Sequence, residues 1–204
     1  MGLSADQLRA GLDALKQIEP RFAPAIAQVG YPEPRAREPG YATLLRTIVG
    51  QQVSIHAAAS VWRKLEALGD PTDPSIVIAT SFDDLRACGL SRQKQGYARS
   101  LAELVLAGEL TLDNLPSDDE EAIALLTRVK GIGRWSAEIY LLFAEGRPDI
   151  WPAGDLAVQE DVGRIMGLSE RPGEKLVREI GDAWRPHRGA AAIFAWHHYK
   201  APPL

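Results

Sequence analysis

Apolar residues recur at three- and four-residue spacing along almost the whole chain, which excludes a sheet-based fold before any motif is considered. Leu44, Leu45, Ile48 and Val49 share one helical face. After a break near Gln51 to Ser54, the run from Ile55 to Leu68 repeats the pattern with Ala58, Val61, Trp62 and Leu65, until Gly69 and Pro71 stop it. Ser81 with Asp84, and Ser117 with Glu120, each read as a capping serine with an acid three residues on. They predict helices over about 82–88 and 118–129. Ser91 is expected to cap a longer helix that ends at Gly108. Further helices are predicted over about 134–144, 156–166, 173–184 and 187–199, closed by Gly146, Gly167, the Arg185–Pro186 step and the terminal Ala-Pro-Pro-Leu. No segment alternates polar and apolar residues as a half-buried strand does, so the expected fold class is all-α.

Two proline-bearing stretches divide these helices. Tyr31 to Gly40, with Pro32, Pro34 and Pro39, reads as an extended linker after a leading helix, and Gly146 to Gly154, with Pro148 and Pro152, as a second crossing. The expected organisation is one helical lobe over 42–147 and a second made of 1–41 plus 148–204. The 204 residues, 46% hydrophobic and 25% charged, supply apolar material for one large core or two small ones and exclude a disordered chain. The single Cys88 excludes an intramolecular disulfide, a four-thiolate zinc site and an iron–sulfur cluster, and fits a reducing cytoplasm. Asp6, Arg9, Asp13 and Lys16 interrupt the start, and no later run of eighteen residues is apolar and uncharged. Neither a signal peptide nor a membrane span is expected.

Charge is the awkward fact for any nucleic-acid reading. With 27 acidic against 23 basic residues and an isoelectric point near 5.6, the chain does not look like one held mainly by phosphate electrostatics. The distribution is less hostile. Asp113, Asp118, Asp119, Glu120 and Glu121 concentrate acid in one segment, while Arg92, Lys94 and Arg99, then Arg128, Lys130 and Arg134, then Arg185, His187 and Arg188 form basic clusters.

The most informative run is Leu126-Thr127-Arg128-Val129-Lys130-Gly131-Ile132-Gly133-Arg134-Trp135-Ser136-Ala137: a helix end, a tight Gly-x-Gly turn and a helix start. Leu126 and Val129 pack one face, and Ala137 is small enough for close helix contact. Gly131 and Gly133 permit backbone angles that other residues resist and leave the amides of the next helix start open to an anion such as a phosphate. That contact uses backbone dipoles, so a net acidic chain can still make it. A corner joining two packed helices would need the same glycines.

With Trp151-Pro152-Ala153-Gly154-Asp155-Leu156-Ala157-Val158-Gln159 about twenty residues later, this run resembles the helix-hairpin-helix and Gly/Pro-Asp signature of the DNA glycosylase superfamily. Leu45 to Ser54 resembles the upstream helix and wedge loop of that family, and Ala195-Trp196-His197-His198-Tyr199 its closing helix. The similarity spans roughly 42–200, and within the superfamily it is nearest the alkylpurine branch, DNA-3-methyladenine glycosylase II. The resemblance implies two helical lobes with the active site in the cleft between them. It also implies base excision repair on damaged double-stranded DNA by base flipping, and a cytoplasmic monomer of bacterial type that meets the nucleoid while acting. Larger members of the branch carry an additional N-terminal β domain, for which the residues before the similarity begins leave no room.

Asp155 takes the catalytic place in the motif. A carboxylate there stabilises the positive charge that develops at C1′ of the extruded nucleotide and orients the attacking water. An N-cap worth about 1 kcal/mol explains an aspartate before an apolar helix equally well. In strand-cutting relatives the residue matching Trp135 is a lysine that forms a Schiff base. Here it is tryptophan, and Lys130 lies on the wrong side of the turn, so the expected enzyme leaves an abasic site without lyase activity. Trp135 and Trp196 match the aromatic base-pocket positions, suited to the flat cation of an N3- or N7-alkylated purine such as 3-methyladenine or 7-methylguanine. Trp62, Trp151 and Trp184 are left to core packing, with Trp151 a marginal pocket candidate. Gln52 matches the wedge, where some members use leucine; Gln51 and Gln52 also read as polar residues at a helix end.

Gly131, Gly133 and Arg134 are the phosphate-binding candidates. No catalytic cofactor is expected: adjacent His197 and His198 cannot chelate one metal as an i, i+4 pair, and His56 and His187 have no partners at ligand spacing. The resemblance implies a structural Na+ or K+ on the backbone carbonyls of Thr127, Val129 and Ile132. Two rival readings remain. One is a glycosylase for a neutral lesion such as hypoxanthine, with His197 or Glu138 as the acid. The other is a non-catalytic helix-hairpin-helix module that binds damaged or branched DNA, or another protein.

Overall fold

Serine and aspartate side chains set most of the helix starts in the computed structural model, which describes residues 2–201. Ser4, Ser54, Ser81, Ser91, Asp118 and Asp155 each accept an amide hydrogen bond from the first turn of the helix that follows. The described residues form helices and connections without strands. They divide into two compact units, one running from Glu38 to Tyr140 and the other combining the chain through Arg37 with the chain from Leu141 onward.

The contiguous unit holds α3 (Tyr41–Gly50), α4 (Ile55–Glu66), α5 (Pro74–Ala79), α6 (Phe82–Ala87), α7 (Arg92–Leu106), α8 (Asp119–Leu126) and α9 (Arg134–Tyr140). Helix α7 is its centre and packs against α3, α5 and α6. On α3, Leu44, Leu45, Ile48 and Val49 are all buried, as their spacing requires.

The second unit holds α1 (Ala5–Ile18), α2 (Phe22–Val29), α10 (Leu156–Met166), α11 (Glu174–Asp182) and α12 (Arg188–His198). Leu8, Leu12 and Leu15 form the buried stripe of α1, and each contributes about 1.5–3 kcal/mol by leaving water. Gly11 lies where α1 crosses α12: a Cβ there would stand 2.8 Å from that of Ala190. Phe22 packs against Trp184 and Phe194, with ring centroids 5.1 and 6.0 Å away. The C-terminal part of this unit opens with a π-helical turn, Leu141–Glu145, a distortion that often marks functional ground.

The structure departs from the sequence expectations at several points. Helices α2 and α5 have eight and six residues, too few to register as a periodic pattern. The cap of α8 is Asp118, whose Oδ1 accepts the Glu121 amide at 2.9 Å, rather than Ser117. Aspartate and serine cap about equally well, and the Asp118 register turns Ala122, Ile123 and Leu126 inward. Helix α4 ends at Glu66, ahead of Gly69. The unit boundaries fall at 37/38 and 140/141 instead of 41/42 and 147/148. The hydrogen bonds beside them stay within one unit each: the Arg37 amide donates to the Phe143 carbonyl in one, and the Gly40 amide to the Tyr140 hydroxyl in the other, each at 2.8 Å. Of the terminal Ala-Pro-Pro-Leu, the part beyond Ala201 lies outside the described residues.

Candidate active site

In the contiguous unit, α8 ends in overlapping turn bonds: the amides of Thr127, Arg128 and Val129 donate to Ile123, Leu125 and Leu126, and that of Ile132 donates back to Val129. Leu126, Val129 and Ile132 are buried beneath the turn. Gly131 has φ +84°, and a Cβ there would fall 2.1 Å from the Tyr97 ring, so both backbone and space demand glycine. Gly133 differs from expectation. Its φ is not positive, and a Cβ there meets no atom within 4 Å. What glycine provides at 133 is open space over the start of α9, where first-turn amides have no acceptor within their own helix.

Helix α7 underlies this turn. Tyr97 packs against Gly131, and the Ser100 hydroxyl accepts the Lys130 amide at 3.1 Å. On the other side, the Gln51 side-chain amide donates to the Gly131 carbonyl at 2.8 Å, tying the loop after α3 to the hairpin. The next residue, Gln52, is exposed and takes a left-handed φ of 54°, which costs a non-glycine residue of order 1 kcal/mol.

Arg134 does not stand ready for a phosphate. Its guanidinium donates to Glu120 at 2.8 Å and to the buried Glu138 at 2.9 Å, and these carboxylates push its pKa upward. Both are already filling the fork that a phosphate would need. Trp135, one residue on, is 47% exposed although it is among the largest apolar side chains. Thr127, Val129 and Ile132 offer neutral backbone oxygens, and the Val129 carbonyl already accepts one turn bond.

In the second unit, Asp155 begins α10 and is half-buried. Its Oδ1 accepts the amides of Ala157 and Val158 at 2.9 and 3.1 Å. The approach to it is pinned as well: the Asp155 amide donates to the Pro152 carbonyl, and the buried Gln159 side chain donates to the Ala153 carbonyl, both at 2.9 Å. Trp196, half-buried near the end of α12, lies against Phe143 with ring centroids 5.6 Å apart. Trp151 is core: it is 3% exposed, donates to the Val177 carbonyl at 3.0 Å and stacks edge-on against Trp184. Trp62 and Trp184 are buried too.

Neither acid of the neutral-lesion reading stands free. Glu138 is bound to Arg134, and the His197 ring nitrogen Nε2 lies 3.0 Å from the Val29 carbonyl. Among the described residues no group of His, Cys, Asp and Glu could hold a metal ion, and no helix is long and apolar enough to cross a membrane. Sequence reading missed a buried pair, Asp161 Oδ1 to His198 Nδ1 at 2.7 Å, with His198 Nε2 meeting Gln28 at 3.1 Å. It also missed Gln51, Tyr97 and Ser100 as supports of the hairpin. No local signal marks residues that act through a partner far along the chain.

Comparison with known proteins gives these features a family. The profile of the HhH-GPD superfamily base excision DNA repair proteins matches residues 45–186. The chain is 31% identical over 170 residues to DNA-3-methyladenine glycosylase 1 of Schizosaccharomyces pombe, covering 80% of this chain and 74% of that protein. It is 27% identical over 188 residues to DNA-3-methyladenine glycosylase 2 of Escherichia coli, covering 85% and 64%. The solved structure of the S. pombe 3-methyladenine DNA glycosylase in complex with abasic DNA matches with a TM-score of 0.77 at 28% identity, over 94% of this chain and 95% of that one.

Proposed function

Because the chain belongs to the HhH-GPD superfamily of base excision DNA repair proteins, we propose that it is a DNA glycosylase that flips alkylated purines out of duplex DNA and hydrolyses their N-glycosidic bond. The observation that carries this reading is Asp155: a half-buried carboxylate inside the matched region, its orientation set by two amide hydrogen bonds. As the C1′–N bond breaks, its electron pair leaves with the base, and an N3- or N7-alkylated purine departs neutral without prior protonation. The sugar is left oxocarbenium-like, and the fixed Asp155 carboxylate stabilises that charge. Water then adds to C1′ with Asp155 positioned to orient it, and one of the water's O–H bonds breaks to release a proton to solvent.

Trp135 and Trp196 each offer an indole face to a flat cation. Gln52, already exposed in a strained turn, is the side chain that fills the gap left by the flipped nucleotide. With Arg134 held by carboxylates, phosphate contact at the hairpin falls to the backbone of Gly131 and Gly133. Trp135 stands where a lysine would be needed for a Schiff base, so the product is an abasic site in an uncut strand. No catalytic cofactor takes part. Neutral carbonyl oxygens without a carboxylate suit a monovalent cation, and Thr127, Val129 and Ile132 would hold Na+ or K+ as support for the hairpin backbone.

The test is base release from methylated duplex DNA by the wild type and by Asp155→Asn, with strand breaks scored before and after alkali. Free methylated purine from the wild type alone, with breaks only after alkali, is expected. Breaks without alkali would overturn the assignment of Trp135, and equal release by the variant would reduce Asp155 to a cap.

A further inference from the structure

Beside the hairpin, within the contiguous unit, lies a cavity of about 460 Å³ lined by Gln51, Gln52, Ser91, Lys94, Tyr97 and Gly131, among others. Its walls are preset by contacts already described: Gln51 bonded to the Gly131 carbonyl, and Tyr97 packed against the same glycine. The lining carries hydroxyls, amides and one ammonium group, and no carboxylate.

Two guanidinium groups near the hairpin already have carboxylate partners. Arg128 pairs with Glu109, and Arg134 with Glu120 and Glu138. Lys94 meets only the Val49 carbonyl, at 2.7 Å, among the described residues. Partial burial without a countercharge pulls its pKa down, so an arriving anion would stabilise its charged form. An ammonium has three donors, and Val49 takes one.

We propose that Lys94 binds a backbone phosphate of DNA in this cavity, beside the loop that carries Gln52. The cavity is large enough for a phosphodiester with its sugar, and its donors are ones a phosphate oxygen accepts. This contact rests on the DNA-binding reading and deepens it: an acidic chain gains a local cationic anchor where the wedge meets the duplex.

The experiment is the salt dependence of binding to a duplex containing an abasic site, followed by fluorescence anisotropy between about 50 and 200 mM KCl. Lys94→Gln keeps a donor for the Val49 carbonyl and removes the charge, while Lys94→Arg keeps both. Loss of one phosphate contact lowers the slope of log K against log[salt] by about 0.9 in Lys94→Gln, with Lys94→Arg near the wild type. An unchanged slope in Lys94→Gln overturns the proposal and leaves Lys94 as a brace for the end of α3. Acetylation footprinting of the wild type supplies a reading that needs no variant to fold: DNA should protect Lys94, and absence of protection counts against the contact. Failure of the wild type to bind DNA at all would overturn the DNA-binding reading itself, a result distinct from a slope that Lys94→Gln leaves intact.

Discussion

Asp155 serves two purposes that substitution can separate. Asparagine caps a helix as well as aspartate does, so Asp155→Asn should melt within a few degrees of the wild type yet release methylated base about 100-fold more slowly or worse. Asp155→Ala should lose the same activity and about 1 kcal/mol of stability besides, read from a denaturant titration. The two hairpin glycines separate in the opposite sense. At Gly131 the positive φ and the Tyr97 ring exclude a methyl group, and Gly131→Ala should cost at least about 2 kcal/mol. Gly133→Ala should fold normally and bind DNA several-fold more weakly, because its methyl enters only the space reserved for the ligand. The motif made both glycines visible in the sequence. Their different reasons were not visible, because one depends on Tyr97, more than thirty positions away along the chain.

At the scale of elements, α2, α10 and α12 are joined by the chain Gln28–His198–Asp161, of which His198 and Asp161 are buried. Burial pushes the Asp161 carboxyl up from 3.8 to about 8 and the His198 imidazole down from 6.5. Asp161 Oδ2 has no hydrogen-bond partner, which suits a neutral acid donating to His198 Nδ1 while His198 Nε2–H donates to Gln28. The sign follows from counting protons. Between the lowered His198 pKa and 6.5 the folded pair holds one proton, on Asp161, and the unfolded pair also holds one, on His198, so stability is flat. Above 6.5 the unfolded histidine loses its proton while the folded acid keeps its own until about 8. Stability should therefore fall across that window, by about 1–2 kcal/mol. Urea titrations at pH 6 and 8.5 check this, and Asp161→Asn, which has no acid to ionise, should remove the decline. The caps of α6, α7 and α10 were readable as local patterns. This pair was not, since neither partner stands near the other in sequence.

For the whole molecule, one unit is an unbroken segment and the other is assembled from both ends of the chain. Residues 38–140 carry their own buried core and, expressed alone, should unfold cooperatively with helical circular dichroism. Residues 141–201 alone should not. They lack Leu8, Leu12, Leu15 and Phe22, the apolar face that α1 and α2 present to α12. By itself the sequence determined the all-α class, most helix starts, the Gly-x-Gly turn and the place of Asp155. Periodicity, caps and turn chemistry act over a few residues, and their signals are written where they act. Only the tertiary structure decided that Arg134 is neutralised by Glu120, that Gln51 holds a carbonyl eighty residues away, and that Asp161 meets His198 across thirty-seven. In each case a charge or donor has more than one possible partner along the chain, and packing alone selects the one it meets.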